Sequence, residues 1–329
     1  MASLLPPARA GLEAAEPKTV TLRPDFRVQG RGENVDSPWF WEAPDPEETL
    51  LFVTAKDNHL VEIWKFPFTN HEQEPLADPE FKGSSVNGVG VDQETDRLYV
   101  VGGGDPGSVF VYELPSLKRT MRFTNSLGDV TNEPNFGILH REGEPTLVYI
   151  SSGAPREEAI ISIHHADTGK QVGMWHQPNE VEALCVDPYH GIVYVPDEND
   201  RAGVHAYHPD GKPYLKNGTN LLGKGLFESD AEGITYYAME GVGEADDGTG
   251  FLIVSDQLDD QTQFEVFDRI TWEHLGTLLL QGVANTDGVA STQQPLPGYP
   301  LGIFAAVDDD EAVVGIGWDK VLKGFGMSQ

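Results

Sequence analysis

The chain has 329 residues, enough to bury a large core as one all-β or α/β domain or as two average domains. It carries 53 Asp and Glu against 22 Lys and Arg, a formal net charge of −31, which argues against DNA or RNA as a partner because nucleic-acid binding requires clustered basic residues. The single cysteine excludes an intrachain disulfide, and without an apolar run of 18 residues no membrane-spanning helix or membrane partner is predicted.

The first thirty residues are predicted to be an N-terminal extension, followed by a single domain over residues 31–329. The opening MASLLPPARAGLEAAEPK lacks the apolar core of a secretion signal, and we expect the chain as given to be soluble. Glycine and proline are scattered along the whole length, and no stretch of ten or more residues has the apolar spacing of an amphipathic helix. This pattern predicts many short strands joined by turns.

A repeat of about 50 residues begins after this extension. Each repeat opens on a polar residue that runs directly into an apolar, strand-like segment. In chain order the openings are SPWFWE from Ser37, NGVGVD from Asn87, NFGILH from Asn135, EALCVD from Glu182, EGITYY from Glu232 and DGVAST from Asp287, and their starts are separated by 50, 48, 47, 50 and 55 residues.

Two further strand-like runs follow each opening across short polar turns. The second runs are TLLFVT, RLYVVG, TLVYIS, GIVYVP, GFLIVS and LGIFAA, and the third runs are LVEIWKF, SVFVYEL, AIISIHH, GVHAYH, QFEVFDR and AVVGIGW. Fourth runs are fainter, as in KRTMRF, KQVGMW and HLGTLLL. This period predicts an all-β fold, a six-bladed β-propeller with antiparallel four-stranded blades around a central channel.

The first residues of the six repeats are predicted to converge at one mouth of that channel, because the first strand of every propeller blade lines it. All six carry oxygen or amide side chains, and three of them are carboxylates. Crowded carboxylates repel one another unless they are protonated or neutralised by a cation, and an oxygen set suits Ca²⁺ better than Zn²⁺. A water-filled polar channel without a function is the alternative interpretation.

Further polar residues are expected at the same mouth, where the second strands end. Asp197-Glu198-Asn199-Asp200 follows IVYVP, Asp256-Gln257 follows FLIVS, and Lys56 follows LFVTA. Residues of these types are also common in exposed hairpin turns. The acidic run at 308–311 is predicted to be such an exposed turn in the last blade.

The sequence resembles the β-propeller phytases, calcium-dependent phosphatases that remove phosphate from inositol hexakisphosphate. The resemblance is carried by VEALCVDPYHGIVYVPDE, by SDAEGITYY with GFLIVSDQLDDQTQFEVFDR, and by NTDGVAS with GYPLGIFAAVDD, and it extends over residues 34–321. It implies a secreted or periplasmic enzyme in which Ca²⁺ neutralises substrate phosphates and activates a water molecule. The metal ligands that it implies are Asp36, Glu182, Glu198, Asp230, Glu232, Gln257 and Asp287.

The catalytic residues that the resemblance implies are Lys56, Arg156, Glu182 and Glu232. Lys56 and Arg156 are expected to contact phosphate. A small-molecule phosphate ester is the expected partner, Ca²⁺ the expected cofactor and a monomer the expected state.

Most basic positions of the family are replaced in this chain. The second lysine of the first blade is Asp57, an arginine expected in the second blade falls on Gly103-Gly104, and a lysine expected in the third blade falls near Ala154. Because basic side chains are needed to hold a highly charged phosphate, we expect weak binding of phytate or a preference for a less charged phosphate ester.

Two other functions remain compatible with the sequence. Loss of phosphate-binding side chains while the fold motifs persist is what a non-catalytic, calcium-binding propeller would show. A ring of Glu, Asn, Asn and Asp around one Ca²⁺ also resembles the six-bladed propeller lactonases, which would account for Asn87 and Asn135.

Overall fold

The computed structural model describes residues 16–69, 73–81, 86–102, 107–124, 134–152, 158–199, 201–239 and 245–327. Within these ranges, 24 strands form six separate sheets whose inner strands contact one another in a ring. The predicted all-β, six-bladed β-propeller is therefore confirmed. Two short 3₁₀ helices (Pro46–Glu48 and Pro79–Phe81) and one α-helix, α1 (Trp318–Phe325), complete the described elements.

The first two strands belong to the last two blades. β1 (Lys18–Leu22) lies parallel to the outer strand of blade 5, and β2 (Phe26–Gln29) lies antiparallel to the third strand of blade 6. The segment predicted to be an N-terminal extension therefore contributes two strands to the sheets of the propeller. Blade 6 joins both ends of the described chain, and this pairing closes the ring.

Blades 1 to 3 follow in chain order, and each runs outward from the channel. Blade 1 has three strands, and a bridge from Val61 to Leu76 stands where a fourth would lie. The strands of blade 1 are β3 (Val35–Trp41), β4 (Leu50–Ala55) and β5 (Leu60–Lys65); those of blade 2 are β6 (Val86–Asp92), β7 (Arg97–Gly102), β8 (Ser108–Glu113) and β9 (Lys118–Thr124); those of blade 3 are β10 (Phe136–Leu139), β11 (Leu147–Ser151), β12 (Glu158–His165) and β13 (Gln171–Pro178).

Blades 4 to 6 repeat the pattern with longer inner and second strands in blade 5. In blade 5, β1 adds a fifth, parallel strand, and in blade 6, β2 is the outer strand. The strands of blade 4 are β14 (Cys185–Asp187), β15 (Ile192–Asp197), β16 (Gly203–Tyr207) and β17 (Leu221–Leu222); those of blade 5 are β18 (Asp230–Ala238), β19 (Gly250–Gln257), β20 (Gln263–Asp268) and β21 (His274–Leu280); those of blade 6 are β22 (Val289–Thr292), β23 (Ile303–Asp308) and β24 (Ala312–Gly317).

The apolar core lies between neighbouring blades. The apolar faces of the strands pack on those of the next sheet; between blades 5 and 6, for example, the rings of Phe264 and Phe304 meet edge to face with centroids 5.3 Å apart. α1 joins the same core through buried Trp318, whose indole donates to Ser291 Oγ at 2.9 Å. Each large apolar side chain buried in this way contributes roughly 1.5–3 kcal/mol.

Irregular pairing marks the mouth end of the inner strands in blades 1, 2 and 5. The register shifts between Val35 and Pro38, between Val86 and Gly88, and between Ala231 and Ile234. The residues at these shifts include four of the polar residues predicted at the mouth: Asp36, Ser37, Asn87 and Glu232. A β-bulge re-aims the side chain at which the ladder is interrupted, so this backbone feature sets the direction of the mouth residues.

Small residues after the mouth residues let neighbouring inner strands approach closely. A Cβ atom on Gly288 would lie 2.4 Å from the carbonyl oxygen of Asp36, and one on Gly233 would lie 2.6 Å from that of Asp287. Both contacts are with backbone, which cannot move aside as a flexible side chain does. The glycines of the openings EGITYY and DGVAST are therefore required by the spacing of the blades at the mouth.

Candidate metal and phosphate site

Five of the six predicted mouth residues line one small cavity on the propeller axis. Its walls include Ser37, Asn135, Glu182, Glu232 and Asp287, together with Asp36, and its volume is about 30 Å³. This space holds a water molecule or an ion but not an organic substrate. The sixth residue, Asn87, is buried beside it, and among the described residues its Oδ1 has no hydrogen-bond donor.

Blade 1 contributes a buried ion pair. Lys56 Nζ lies 2.5 Å from Asp36 Oδ2, while Ser37 Oγ donates to Asp36 Oδ1 at 2.5 Å. Asn135 Nδ2 donates in turn to Ser37 Oγ at 3.0 Å, which links blade 1 to blade 3 at the mouth. Lys56 thus reaches the mouth, as expected from the end of its strand, and its charge faces Asp36.

Blade 4 contributes three half-buried carboxylates, Glu180, Glu182 and Glu198, hereafter the blade-4 cluster. One carboxylate oxygen from each lies within 4.8 Å of the others, a spacing that suits a shared cation. The backbone N–H of Glu198 donates to the carbonyl of Glu180 at 3.4 Å, which joins the two segments. Glu180 was not among the predicted ligands, although it lies two residues before Glu182, a spacing that directs both side chains to the same side of an extended segment.

Glu232 is a buried carboxylate surrounded by the other carboxylates of the mouth. Its side chain is buried, and among the described residues it has no hydrogen-bond or ion-pair partner. Burial raises the pKa of Glu232 well above its ordinary value, the negative charges of Glu198, Asp287 and Asp36 raise it further, and only Lys56 opposes them. A carboxylate in this environment is protonated or accompanied by a cation.

Blade 6 adds Asp287 and a second residue that the sequence analysis misplaced. The side chains of Asp287 and Asp310 are hydrogen-bonded to each other, and burial raises the pKa of both. The prediction of an exposed turn at 308–311 is wrong for Asp310, which is half-buried, and for Asp308, which is buried and paired with Arg27 at 2.9 Å. The turn belongs to the mouth because the second strand of each blade returns there.

Blade 5 places Asp230 and Gln257 opposite each other in the β18–β19 pairing. Gln257 Nε2 donates to Asp287 Oδ1 and so connects blade 5 to blade 6. Buried Asp256 accepts from the backbone N–H groups of Glu228 and Ser229 at 2.7 and 2.8 Å, which fixes the segment that leads into Asp230. Asp230 thus lies at the edge of the mouth, next to the axial residues.

The donor set at the mouth fits a hard divalent cation. Oxygen ligands are what Ca²⁺ prefers, and the buried charge of Glu232 calls for a positive counterpart. Eight carboxylates lie at this mouth: Asp36, Glu180, Glu182, Glu198, Asp230, Glu232, Asp287 and Asp310. Against them stands Lys56; Arg156, the second predicted phosphate contact, lies outside the described residues, as do Gly103-Gly104 and Ala154.

Across the described part of the chain, no helix has both the length and the apolar character needed to cross a membrane. A chain in the crystal structure of the mitotic checkpoint complex superposes with a TM-score of 0.56 at 12% identity, covering 93% of this chain and 98% of that one. At this identity the similarity concerns the fold alone.

Sequence comparison points to one family. The Phytase family model matches residues 160–323, a range that contains the blade-4 cluster and the mouth residues of blades 5 and 6. The 3-phytase of Bacillus subtilis (strain 168) is 24% identical over 326 residues, which cover 88% of this chain and 81% of the relative. Both matches support a distant relationship of this chain to the phytase family.

Proposed function

We propose that this protein is a calcium-dependent phosphatase that hydrolyses phosphate monoesters at the carboxylate mouth of the propeller. The Phytase family match and the related 3-phytase support a phosphoric monoester hydrolase of the phytase kind. The observation that carries the calcium dependence is Glu232, a buried carboxylate surrounded by other carboxylates and without a hydrogen-bond partner among the described residues. Its unfavourable burial is relieved when a cation binds.

The proposed ligands come from three adjacent blades. The blade-4 cluster supplies carboxylates within 4.8 Å of one another. The charge of Glu198, a member of this cluster, acts on Glu232 and raises its pKa. Asp230, Gln257 and Asp287 extend the oxygen set toward blade 6. Ca²⁺ takes six to eight oxygen ligands, so a set of this size accommodates it without thiol or imidazole donors.

Bound Ca²⁺ would offset the charge of the phosphate group and lower the pKa of a water molecule that attacks phosphorus. In this proposal Glu182 and Glu232 hold the cation and orient that water. Lys56 neutralises Asp36, so that the wall opposite the cation does not repel the phosphate. Asp36 was predicted as a metal ligand. In this proposal it would bind the cation while remaining paired with Lys56, which weakens its contribution as a ligand.

The proposed substrate is a phosphate ester less charged than phytate. The mouth holds many carboxylates, and its buried lysine is already paired with one of them. At the rim, Arg201 and Lys224 are exposed and form no ion pair within the described part of the chain. Arg201 is held near Asp230, because its N–H donates to the carbonyl of Ser229 at 3.4 Å. Two basic side chains at the rim can bind one phosphate group, but they cannot neutralise the six phosphate groups of phytate.

The test is phosphate release from phytate and from a simple aryl phosphate, each with saturating Ca²⁺ and with a chelator. We expect release to require Ca²⁺, to be greater for the monoester, and to fall at least a hundredfold in Glu232→Gln. Glu113→Gln, an equal change of charge at the exposed end of β8, serves as the control and should behave as the wild type. Absence of release from either ester in saturating Ca²⁺ would refute the phosphatase.

A calcium-binding propeller without catalysis is the second candidate, and the Lys56–Asp36 ion pair favours it, because that pairing competes with a phosphate contact. The same experiment separates the two. If Ca²⁺ raises the melting temperature but the protein releases no phosphate, the second function is established.

A further inference from the structure

The channel contains a second, larger cavity at the end opposite the carboxylate mouth. Its volume is about 410 Å³, within the range of small-molecule sites, and all six blades contribute to its walls. The residues that line it lie toward the distal ends of the inner strands, such as Glu42 after β3, Glu94 after β6 and Tyr236 in β18. It is called the distal cavity below.

A ring of apolar side chains separates the distal cavity from the mouth. Trp39, Leu184, Ile234 and Val289 line both cavities, and each lies two residues after the mouth residue of its own blade. Leu184, Ile234 and Val289 are buried. A charged group bound at the mouth would lose its hydration in crossing this ring, so the two cavities are chemically separate compartments.

The charged residues that line the distal cavity are acidic. Glu42, Asp92 and Glu94 lie in its wall, and neither lysine nor arginine occurs among its lining residues. Glu42 Oε1 accepts from Thr292 Oγ1 at 2.7 Å and from the N–H of Gln293 at 3.1 Å, which holds this carboxylate in the wall between blades 1 and 6. Low-dielectric walls focus such a field into the cavity, which repels phosphate esters and attracts cations.

Aromatic surface accompanies this negative charge. The indole of Trp39 is half-buried between the two cavities, and among the described residues neither a cation nor a hydrogen-bond acceptor contacts it. Tyr236 also lines the cavity and already carries the guanidinium of Arg269 at 4.5 Å from its ring centroid. An indole and carboxylates that line the same cavity are the combination that binds ammonium groups with apolar substituents.

We propose that the distal cavity is a binding site for a small organic cation of the quaternary or alkyl ammonium class, with Trp39 facing the cationic head and Glu94 supplying negative charge at the entrance. The proposal is independent of phosphatase activity, since none of its charged residues belongs to the mouth.

Choline is the probe, and 3,3-dimethylbutan-1-ol, which has nearly the same shape without the charge, is its matched control. Binding is measured by calorimetry on the full chain in saturating Ca²⁺, so that the carboxylates of the mouth are already engaged. We expect choline to bind at least tenfold more tightly than the alcohol, and its affinity to fall as salt is raised.

Three variants locate the site. Trp39→Leu should weaken choline binding at least tenfold, and Glu94→Gln, an exposed residue whose replacement leaves the core intact, should weaken it two- to fivefold without changing phosphate release. Glu113→Gln, at the exposed end of β8 in the same blade, should leave the affinity unchanged. Equal affinity for choline and the alcohol, or a Glu94→Gln protein that binds choline as the wild type does, would overturn the proposal. Loss of choline binding in Glu232→Gln would also overturn it, because that result places the cation at the mouth.

Discussion

Lys56 and Asp36 form an ion pair of 2.5 Å in which each side chain is only 7% exposed. The lysine is supplied by the residue that follows β4, and the aspartate by the bulge at the start of β3. Lys56 places a positive charge inside a mouth of carboxylates; this charge lowers the pKa of both Glu232 and Asp287, whereas burial and Asp36 raise them. The stability of the mouth without calcium therefore depends on Lys56.

Lys56→Met should destabilise the calcium-free protein by about 3–5 kcal/mol, because it leaves a buried carboxylate without its partner. Calcium should recover part of this loss, so the calcium-dependent gain in the free energy of unfolding should exceed that of the wild type. Urea unfolding with and without Ca²⁺ measures both quantities. Lys65→Met is the control, since Lys65 pairs with Glu48 at the surface and should contribute about 0–1 kcal/mol. A calcium response unchanged by Lys56→Met would contradict the prediction.

Glu232→Gln should stabilise the calcium-free protein by about 1–3 kcal/mol at neutral pH, although it removes a residue of the proposed site. The reason is that an amide of the same shape carries no charge to be buried beside Asp287 and Asp36. The same substitution should abolish most of the calcium-induced rise in melting temperature. Calorimetric scans with chelator and with Ca²⁺ test both signs, and a less stable variant in chelator would show that Glu232 has a favourable partner at the mouth.

The sequence was sufficient to predict the six blades because each inner, second and third strand is a short apolar run with a fixed period. It failed for the outermost strands of blades 5 and 6, because β1 and β2 come from the N-terminal segment that was predicted to be an extension. The pairings of these two strands join residues 258 to 289 positions apart and leave no local pattern, since an outer strand is exposed on one side and its polar residues resemble those of a linker.

The mouth was predictable to the extent that the repeat determines it. Glu182, Glu232 and Asp287 were found from their equivalent positions, whereas Asp310 was missed because its acidic neighbours resemble an exposed turn. The pairing of individual side chains could not be predicted from the sequence. Lys56 was expected to contact substrate, and only the bulge that turns Asp36 toward it explains why the two form an ion pair.

The stability of the calcium-free protein should fall as pH rises from about 5 to 8. Burial and neighbouring charges raise the pKa of Glu232, Asp287 and Asp310, so the folded state binds protons more tightly than the unfolded chain, whose carboxyl pKa values lie near 4. The stabilising contribution of these protons is complete below the unfolded pKa values near 4, and it is lost as the pH rises toward the raised pKa values of the folded state. Asp187 has the opposite effect, because its hydrogen bonds with Arg269 lower its pKa. Its stabilising contribution is lost only at a pH below this interval.

Calcium should reverse this dependence, because its ligands must be deprotonated. The calcium-induced shift in melting temperature should therefore grow between pH 5 and 8, and Glu232→Gln should flatten the profile of the calcium-free protein. Melting curves across this interval, with calcium-free and calcium-saturated protein, provide the measurement. A calcium-free protein that gains stability as pH rises would contradict the raised pKa values.

Gly288→Ala should damage the mouth through the backbone alone. The added methyl would lie 2.4 Å from the carbonyl oxygen of Asp36 and 2.5 Å from Pro38 Cδ, so blades 6 and 1 must separate where Asp287 and Asp36 face each other. Overpacking of this kind costs about 1–3 kcal/mol. The separation should also weaken calcium binding severalfold, because it changes the position of Asp287 relative to Asp36 and to Gln257 of blade 5.

Gly173→Ala is the matched control for this substitution. Gly173 lies in the outer strand β13, where an added methyl would meet only Cδ1 of the flexible Ile163 side chain at 2.9 Å. It should change the free energy of unfolding by less than about 1 kcal/mol and leave calcium affinity unaltered. Calcium titrations followed by calorimetry distinguish a mouth effect from a general loss of stability. If both variants bind calcium as the wild type does, the spacing of blades 6 and 1 does not control the site.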